Sequence, residues 1–180
     1  MRSFFLLFFL IFSIGSIHAE NLKPSKGIIA TSNPHASKAA YEVIKNGGNA
    51  IDASIAVQLV LTLTEPQATG IGGGAFMLYW DADKAKLFSI DGREKAPSKA
   101  GEDLFLNKDG TKIKFYPDAV VGAKSVGVPG IVKLLEEAHK KFGKLEWAEL
   151  FDYAIELSKN GFLISPALHI TLGYLNYLKT

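Results

Sequence analysis

Hydrophobic residues recur at the spacing of one helix face soon after the N-terminal region. Asn33 and Pro34 can begin a first helix as N-cap and first-turn residues, and the apolar positions that follow share one face: Ala36, Ala39, Ala40, Val43 and Ile44. A second helix is predicted from about Ala50 to Leu63, with Asn49 as its cap and Glu65-Pro66 as its stop. Because this second segment is apolar nearly all round, we expect a buried core helix.

Strands are predicted both before and after this helix pair. Residues 27–31 are predicted to form a short buried strand. Further along, Ala75 to Trp80 and Lys86 to Ile90 are predicted to form a hairpin around a turn at 81–85. The segment from Ala119 to Val128 is also strand-like.

Three more helices follow in the pattern. Pro129 begins one that Gly143 ends, a second runs from about Glu146 to Gly161, and Ser165-Pro166 starts a third. The order of helix pair, hairpin, strand and further helices indicates a layered α+β fold. In the helix after Pro129 the predicted inward positions are Ile131, Leu134, Leu135, Ala138 and Phe142. In the helix from Glu146 they are Trp147, Leu150, Phe151, Ala154 and Ile155.

The first nineteen residues have the layout of a secretory signal peptide. Arg2 precedes an apolar run from Phe4 to Ile14, and Ala19 is a small residue before a plausible cleavage point. The run is shorter than the ~20 residues that a spanning helix needs. We therefore expect residues 1–19 to be removed and residues 20–180 to be secreted or periplasmic, with no membrane anchor after cleavage.

Composition excludes several classes of function. Lys and Arg total 20 and Asp and Glu total 18, and no basic run is interleaved with aromatic residues, so nucleic acid is not an expected partner. The absence of Cys excludes disulfides, thiolate metal sites and a cysteine nucleophile. His35, His139 and His169 lack metal-ligand spacing, so no metal is expected. A Ser-His-Asp triad stays open, without a nucleophile-elbow motif to support it.

A glycine-rich segment, residues 70–75, fits the G-x-G-x-x-A dinucleotide fingerprint by letters alone. The fingerprint must follow a strand and begin a helix, whereas this segment follows a helix and begins a strand. We favour a close backbone approach that leaves no room for a Cβ. The alternative is a glycine-rich floor beside a ligand site.

The segment Asp91 to Pro97 is a candidate binding segment, because side chains directly after a buried strand often meet substrate. Arg93 could hold a carboxylate with two parallel hydrogen bonds, which lysine cannot copy. The alternative is an exposed arginine paired with Asp91 or Glu94, which contributes only ~0–1 kcal/mol. Spacing alone favours that alternative.

Taken together, these segments resemble the γ-glutamyltransferases, also called γ-glutamyltranspeptidases. Residues 47–53 resemble the family's GGNAxDA motif, residues 65–77 its glycine-rich strand entry, and residues 91–97 its DxRExAP motif. The match continues in order through Gly127-Val128-Pro129-Gly130, Phe142-Gly143 and Gly161-Phe162.

The resemblance implies an N-terminal nucleophile hydrolase-type αββα sandwich, present here as an incomplete N-terminal portion. In this family a precursor cuts itself into two subunits, and the new N-terminal Thr of the small subunit attacks the γ-glutamyl amide, with its own amine as base. Glutathione or another γ-glutamyl donor is the implied partner, and no cofactor is implied.

The resemblance implies one substrate-binding residue in this chain. Arg93 matches the family arginine that holds the α-carboxylate of the γ-glutamyl group, and the resemblance reverses the preference stated for this position above. Glu94 is expected to orient Arg93. Gly72 to Gly74, Asp52 and Pro129 are interpreted as structural.

No catalytic residue is expected in this chain, because the processing Thr and the residues after it are absent. The resemblance implies that residues 20–180 are the N-terminal part of a large subunit, inactive alone and partnered by the small-subunit segment of the same precursor. Two alternatives stay open. One is a related acylase or transpeptidase of the cephalosporin acylase or capsule-processing type, and the other is a secreted remnant that binds γ-glutamyl compounds without catalysis.

Overall fold

The computed structural model describes residues 27–177. Its helices and strands follow one another with short helical turns between them. The helices are α1 (Pro34–Lys45), α2 (Ala50–Thr64), α3 (Ile131–Phe142), α4 (Asp152–Asn160) and α5 (Pro166–Tyr177), and the strands are β1 (Ala75–Asp81) and β2 (Lys86–Gly92).

Both predicted caps of the helix pair are confirmed. The Asn33 side chain accepts a hydrogen bond from the His35 backbone N–H at 3.0 Å, which satisfies a free donor at the start of α1. Asn49 begins α2 through a capping box, in which its side chain accepts from the Asp52 N–H and the Asp52 carboxylate accepts from the Asn49 N–H. These caps fix where each helix begins.

The core lies between α1 and α2 and is continued by α3, α4 and the inner face of the hairpin. Ile55 and Val60 of α2 are fully buried, which confirms the predicted core helix. Ile44, predicted on the inner face of α1, is 42% exposed at the end of that helix. The buried apolar residues of the cluster are Ala36, Ala39, Ala40, Val43, Ile51, Ala53, Ile55, Ala56, Val60, Ile131, Leu134, Leu135, Ala138, Leu150, Ala154 and Leu157.

The predicted hairpin is confirmed as an antiparallel pair in which Ala75 lies opposite Gly92. Alternation along β1 directs Met77 and Tyr79 onto the helices, while Phe76 and Trp80 stay more than half exposed on the other face. Strand β2 continues to Gly92, two residues beyond the predicted end. The site described below begins at the next residue.

Two predicted strands are wrong. Residues 27–31 are extended but unpaired within the described part of the chain, and Ile28 is 92% exposed. Residues 119–128 form turns and a short 3₁₀ helix, Ala123–Ser125, and only Val128 makes a bridge, to Lys95. Both segments have the apolar residues typical of a strand, but a strand needs a neighbouring strand with which to exchange hydrogen bonds.

The later helices follow the predicted pattern with local differences. Helix α3 begins at Ile131, two residues after Pro129, and Gly143 caps its end. The helix predicted from Glu146 is divided into a 3₁₀ turn, Trp147–Phe151, and α4. As a result Leu157 is buried and Ile155, predicted inward, is 46% exposed.

The predicted signal peptide, residues 1–19, lies outside the described residues. Within residues 27–177, no helix is both long enough and apolar enough to cross a membrane.

Candidate functional site

Arg93 lies directly after β2, at the mouth of two adjoining open cavities. The first, here called the Arg93 cavity, has a volume of about 530 Å³. The second is a smaller hollow of about 300 Å³ beside the start of α3. Residues lining the Arg93 cavity are Gly72, Arg93, Glu94, Lys95, Ala96, Ser125, Val126 and Gly127.

The Arg93 guanidinium is available to a ligand. Its side chain is 71% exposed, and its Nε atom lies 4.0 Å from Glu94 Oε2, too far for a hydrogen bond. After Arg2, Arg93 is the only arginine in the chain. Among residues 27–177 it is therefore the only guanidinium, the planar fork that binds a carboxylate through two parallel N–H donors.

Backbone contacts fix the position of Arg93. Its N–H donates to Asp91 Oδ1 at 2.9 Å, which closes a turn where β2 ends. Two residues later, Lys95 exchanges both backbone hydrogen bonds with Val128, at 3.2 and 2.8 Å. The arginine thus stands on an extended segment that is held on both sides. Glu94 was expected to orient Arg93, but no hydrogen bond joins the two side chains.

Three glycines let three segments cross at this point. A Cβ on Gly74 would lie 2.7 Å from the Cα of Arg93, and one on Gly92 would lie 2.5 Å from Leu134 Cβ. A Cβ on Gly130 would collide with the Gly92 carbonyl. Real Cβ atoms do not make such contacts, so only glycine permits the crossing. This confirms the predicted close backbone approach.

The glycine-rich segment is also tied to the start of α3. The Gly73 carbonyl accepts from the N–H groups of Gly130 and Ile131, both at 3.2 Å. These donors have no partner within the helix, and no side chain caps them. The protein itself therefore uses two of the donors at the start of α3.

Gly72 differs from its neighbours. A Cβ there would meet nothing within 4 Å, so packing does not require a glycine. Gly72 lines the Arg93 cavity and also an adjoining hollow over the glycine-rich segment. Of the two interpretations of the glycine-rich segment, close backbone packing therefore fits Gly74. A floor beside a candidate ligand site fits Gly72.

A buried carboxylate just before the glycine-rich segment, Glu65, joins three parts of the fold. Glu65, 5% exposed, accepts hydrogen bonds from Asn33 Nδ2 and Gln67 Nε2, both at 2.7 Å, and from Ser165 Oγ at 3.3 Å. The Asn33 hydrogen bond is the largest cause of a lowered pKa at Glu65, and burial opposes it. Glu65 thus joins the starts of α1 and α5 to the turn after α2.

A second buried carboxylate confirms that Asp52 is structural. Asp52 is fully buried and accepts from the Lys144 N–H at 3.1 Å, in addition to the Asn49 N–H of the capping box. It therefore ties the start of α2 to the loop after α3, away from the Arg93 cavity.

His139 packs within the fold, next to the loop after α3. His139 hydrogen-bonds through Nε2 to the Leu145 carbonyl at 2.8 Å and packs edge-on against Trp147. In the described part of the chain, no group of three or more His, Cys, Asp or Glu side chains could hold a metal ion.

A larger hollow, of about 650 Å³, lies between residues 27–31 and the first two helices. Its lining is largely apolar and contains no cationic side chain. It offers no charge to pair with a carboxylate, so the Arg93 cavity is the better candidate despite its smaller volume.

Sequence reasoning missed part of this cavity. Lys95 could have been found from its place two residues after Arg93, within the candidate binding segment Asp91 to Pro97. No feature of the sequence indicated that Ser125 and Gly127 lie next to Arg93, because their segment was predicted to be a strand with no partner named.

The family assignment rests on a family model described as Gamma-glutamyltranspeptidase, which matches residues 36–176. The chain belongs to this family. The matched region contains the helix pair, the glycine crossing and Arg93, so the candidate site lies within the family's shared sequence.

Two curated relatives show how much of a longer protein this chain spans. The glutathione hydrolase proenzyme of Bacillus subtilis (strain 168) is 42% identical over 164 residues, which cover 84% of this chain and 28% of that protein. The acylase ACY 1 proenzyme of Pseudomonas sp. (strain V22) is 40% identical over 148 residues, which cover 80% of this chain and 26% of that protein. The chain thus spans little more than a quarter of these relatives.

The solved structures agree on the fold. The γ-glutamyltranspeptidase of Helicobacter pylori matches with a TM-score of 0.81 and 37% identity, covering 88% of this chain and 46% of that chain. This confirms the predicted α+β class with an N-terminal nucleophile hydrolase-type fold, matched over part of that protein.

Proposed function

We propose that this chain provides the donor-carboxylate site of an exported γ-glutamyltransferase that acts on glutathione and related γ-glutamyl amides. The observation that carries the proposal is the Arg93 guanidinium, 71% exposed at a cavity and held in place by a glycine crossing. The Bacillus subtilis relative is named a glutathione hydrolase, which supports this class of donor.

In the proposed reaction, Arg93 binds the α-carboxylate of the γ-glutamyl group and fixes the γ-carbonyl for attack. A charge-assisted hydrogen bond of this kind contributes ~1.5–3 kcal/mol. The planar fork holds the carboxylate in one orientation, whereas lysine would offer a single point charge.

The nucleophile is proposed to be an N-terminal Thr from the small-subunit part of a self-cleaving precursor, outside this chain. Its hydroxyl oxygen bonds to the γ-carbonyl carbon and its proton passes through the α-amine to the leaving amine. The resulting ester is then broken by water, which yields glutamate, or by an amino-acid or peptide amine, which yields a new γ-glutamyl amide.

Three chromogenic anilides test the proposal on the purified full-length protein that carries this sequence. We expect rapid release of the anilide from the γ-glutamyl compound. The α-glutamyl compound is the control for linkage, and the glutaryl compound, which lacks the α-amine and α-carboxylate, is the control for recognition of the amino-acid end. We expect neither control to be turned over at a comparable rate.

The alternatives predict different patterns. Equal turnover of glutaryl and γ-glutamyl anilides would favour the acylase alternative and contradict the donor assignment. Binding without turnover would favour a non-catalytic protein that binds γ-glutamyl compounds. Residues 20–180 produced alone are expected to release no anilide, and turnover by them would place the nucleophile within this chain.

A further inference from the structure

A second cation lies beside Arg93 in the same cavity. Lys95 is two residues further along the same segment, and Glu94 and Ala96 of that segment line the cavity as well. Arg93 and Lys95 line both the Arg93 cavity and the smaller hollow next to it. The two backbone hydrogen bonds to Val128 fix the base of the lysine side chain.

Within residues 27–177, Lys95 has no carboxylate within 4.0 Å of its ammonium group. By contrast, Lys133, which lines the smaller hollow, contacts Glu136 at 2.8 Å and Glu137 at 2.9 Å. Glu94, the acidic residue of the Arg93 cavity, approaches Arg93 rather than Lys95. The smaller hollow also has two carboxylates in its lining, Asp91 and Glu137, and Glu137 pairs with Lys133. Within the described residues neither Arg93 nor Lys95 is hydrogen-bonded through its side chain to a carboxylate, so each can bind one carboxylate of a ligand.

We propose that Lys95 binds the second carboxylate of a dianionic donor, the one on its leaving peptide, while Arg93 binds the α-carboxylate of the γ-glutamyl group. This inference rests on the proposed function and adds to it a residue that recognises the leaving peptide by its free carboxylate. Glutathione has one carboxylate on its glutamyl residue and one on its glycine.

The chemistry of the two cations suits these different tasks. The arginine fork imposes one orientation next to the reacting carbonyl, whereas a lysine on its flexible stem follows a carboxylate whose position varies. Because the lysine is exposed, its contribution is modest, and an exposed pair corresponds to a change of about three- to fivefold in kcat/KM.

The test compares glutathione with its C-terminal glycine amide, which differs only in lacking the second carboxylate. In the full-length protein, Lys95→Met is expected to lower kcat/KM for glutathione about three- to fivefold and to leave the amide unchanged. Lys95→Arg is expected to retain the preference for glutathione. The control is Lys108→Met, which removes a lysine that lines neither cavity, and it is expected to change neither donor.

Equal losses for both donors, or no loss for either, would overturn the inference. If the unsubstituted protein turns over neither compound, the proposed function fails, and calorimetric binding of the same two compounds then tests Lys95 separately. The inference then requires tighter binding of glutathione than of its amide, and loss of that difference in Lys95→Met. Equal affinities, or no binding of either compound, would overturn it.

Discussion

Gly74 lies against the backbone of Arg93, where a Cβ on the glycine would come within 2.7 Å of the arginine Cα. The glycine-rich segment therefore contributes to the site by its lack of side chains, since it lets β1 pass close behind the residue proposed to bind the donor. The tie from the Gly73 carbonyl to the start of α3 holds this arrangement in register.

Gly74→Ala tests the crossing. The added methyl group would push on the backbone of residues 92–94, and overpacking of this kind costs about 1–3 kcal/mol in the free energy of unfolding. Gly72→Ala is the matched control, because its Cβ would meet nothing within 4 Å. We expect urea unfolding to show a loss of stability for Gly74→Ala only. Equal stabilities of the two variants would contradict the crossing.

Glu65→Gln tests the buried carboxylate that joins α1, α5 and the turn after α2. Asn33 and Gln67 donate to different oxygens of this carboxylate, so the NH₂ group of the new amide would face one of the two donors. Leaving a buried donor unsatisfied costs about 1–3 kcal/mol. Exposed Glu102→Gln is the control. Urea midpoints at neutral pH are expected to fall for Glu65→Gln and to stay unchanged for Glu102→Gln.

The lowered pKa of Glu65 gives this loss a pH dependence. A carboxyl group whose pKa is lower in the folded state stabilises the fold above its unfolded value, here 4.5, and that contribution is lost as the pH falls through the folded value. The stability difference between the unsubstituted protein and Glu65→Gln is therefore expected to be full at pH 7 and to shrink below pH 4.5. A difference that stays constant down to pH 3 would contradict the assignment.

Asp52→Asn tests the other buried carboxylate. The Asp52 carboxylate accepts hydrogen bonds from the backbone N–H groups of Asn49 and Lys144. Because an amide nitrogen cannot accept a hydrogen bond, we expect Asp52→Asn to lower the free energy of unfolding by about 1–3 kcal/mol. Thermal unfolding compared with exposed Asp83→Asn measures it. A melting temperature no lower than that of the control would show that the carboxylate charge is dispensable.

Local signals in the sequence were sufficient for the helices and the hairpin. Asn33 and Asn49 cap the helices that follow them because capping depends on residues within one turn. The two strands of the hairpin were likewise predicted from a turn between two short apolar segments. The strands predicted at 27–31 and 119–128 were wrong, because strand formation depends on a partner strand that the local sequence does not specify.

The candidate site could be predicted only in part. Arg93 was selected through the family resemblance, since its spacing alone favoured a surface ion pair. The crossing of Gly74, Gly92 and Gly130 joins residues far apart in sequence, and no periodicity reports such a contact. Lys95 was within reach of the sequence pattern, but its place in the cavity required the structure.

Substitution of Arg93 in the full-length protein tests the central claim most directly, with donor kinetics on γ-glutamyl anilide as the measurement. Arg93→Lys is expected to raise the donor KM about tenfold, because the two-donor fork is lost, and Arg93→Gln is expected to raise it further. Lys108→Gln, which removes a charge far from the cavity lining, is expected to leave it unchanged. An unchanged donor KM and kcat in both Arg93 variants would contradict the account.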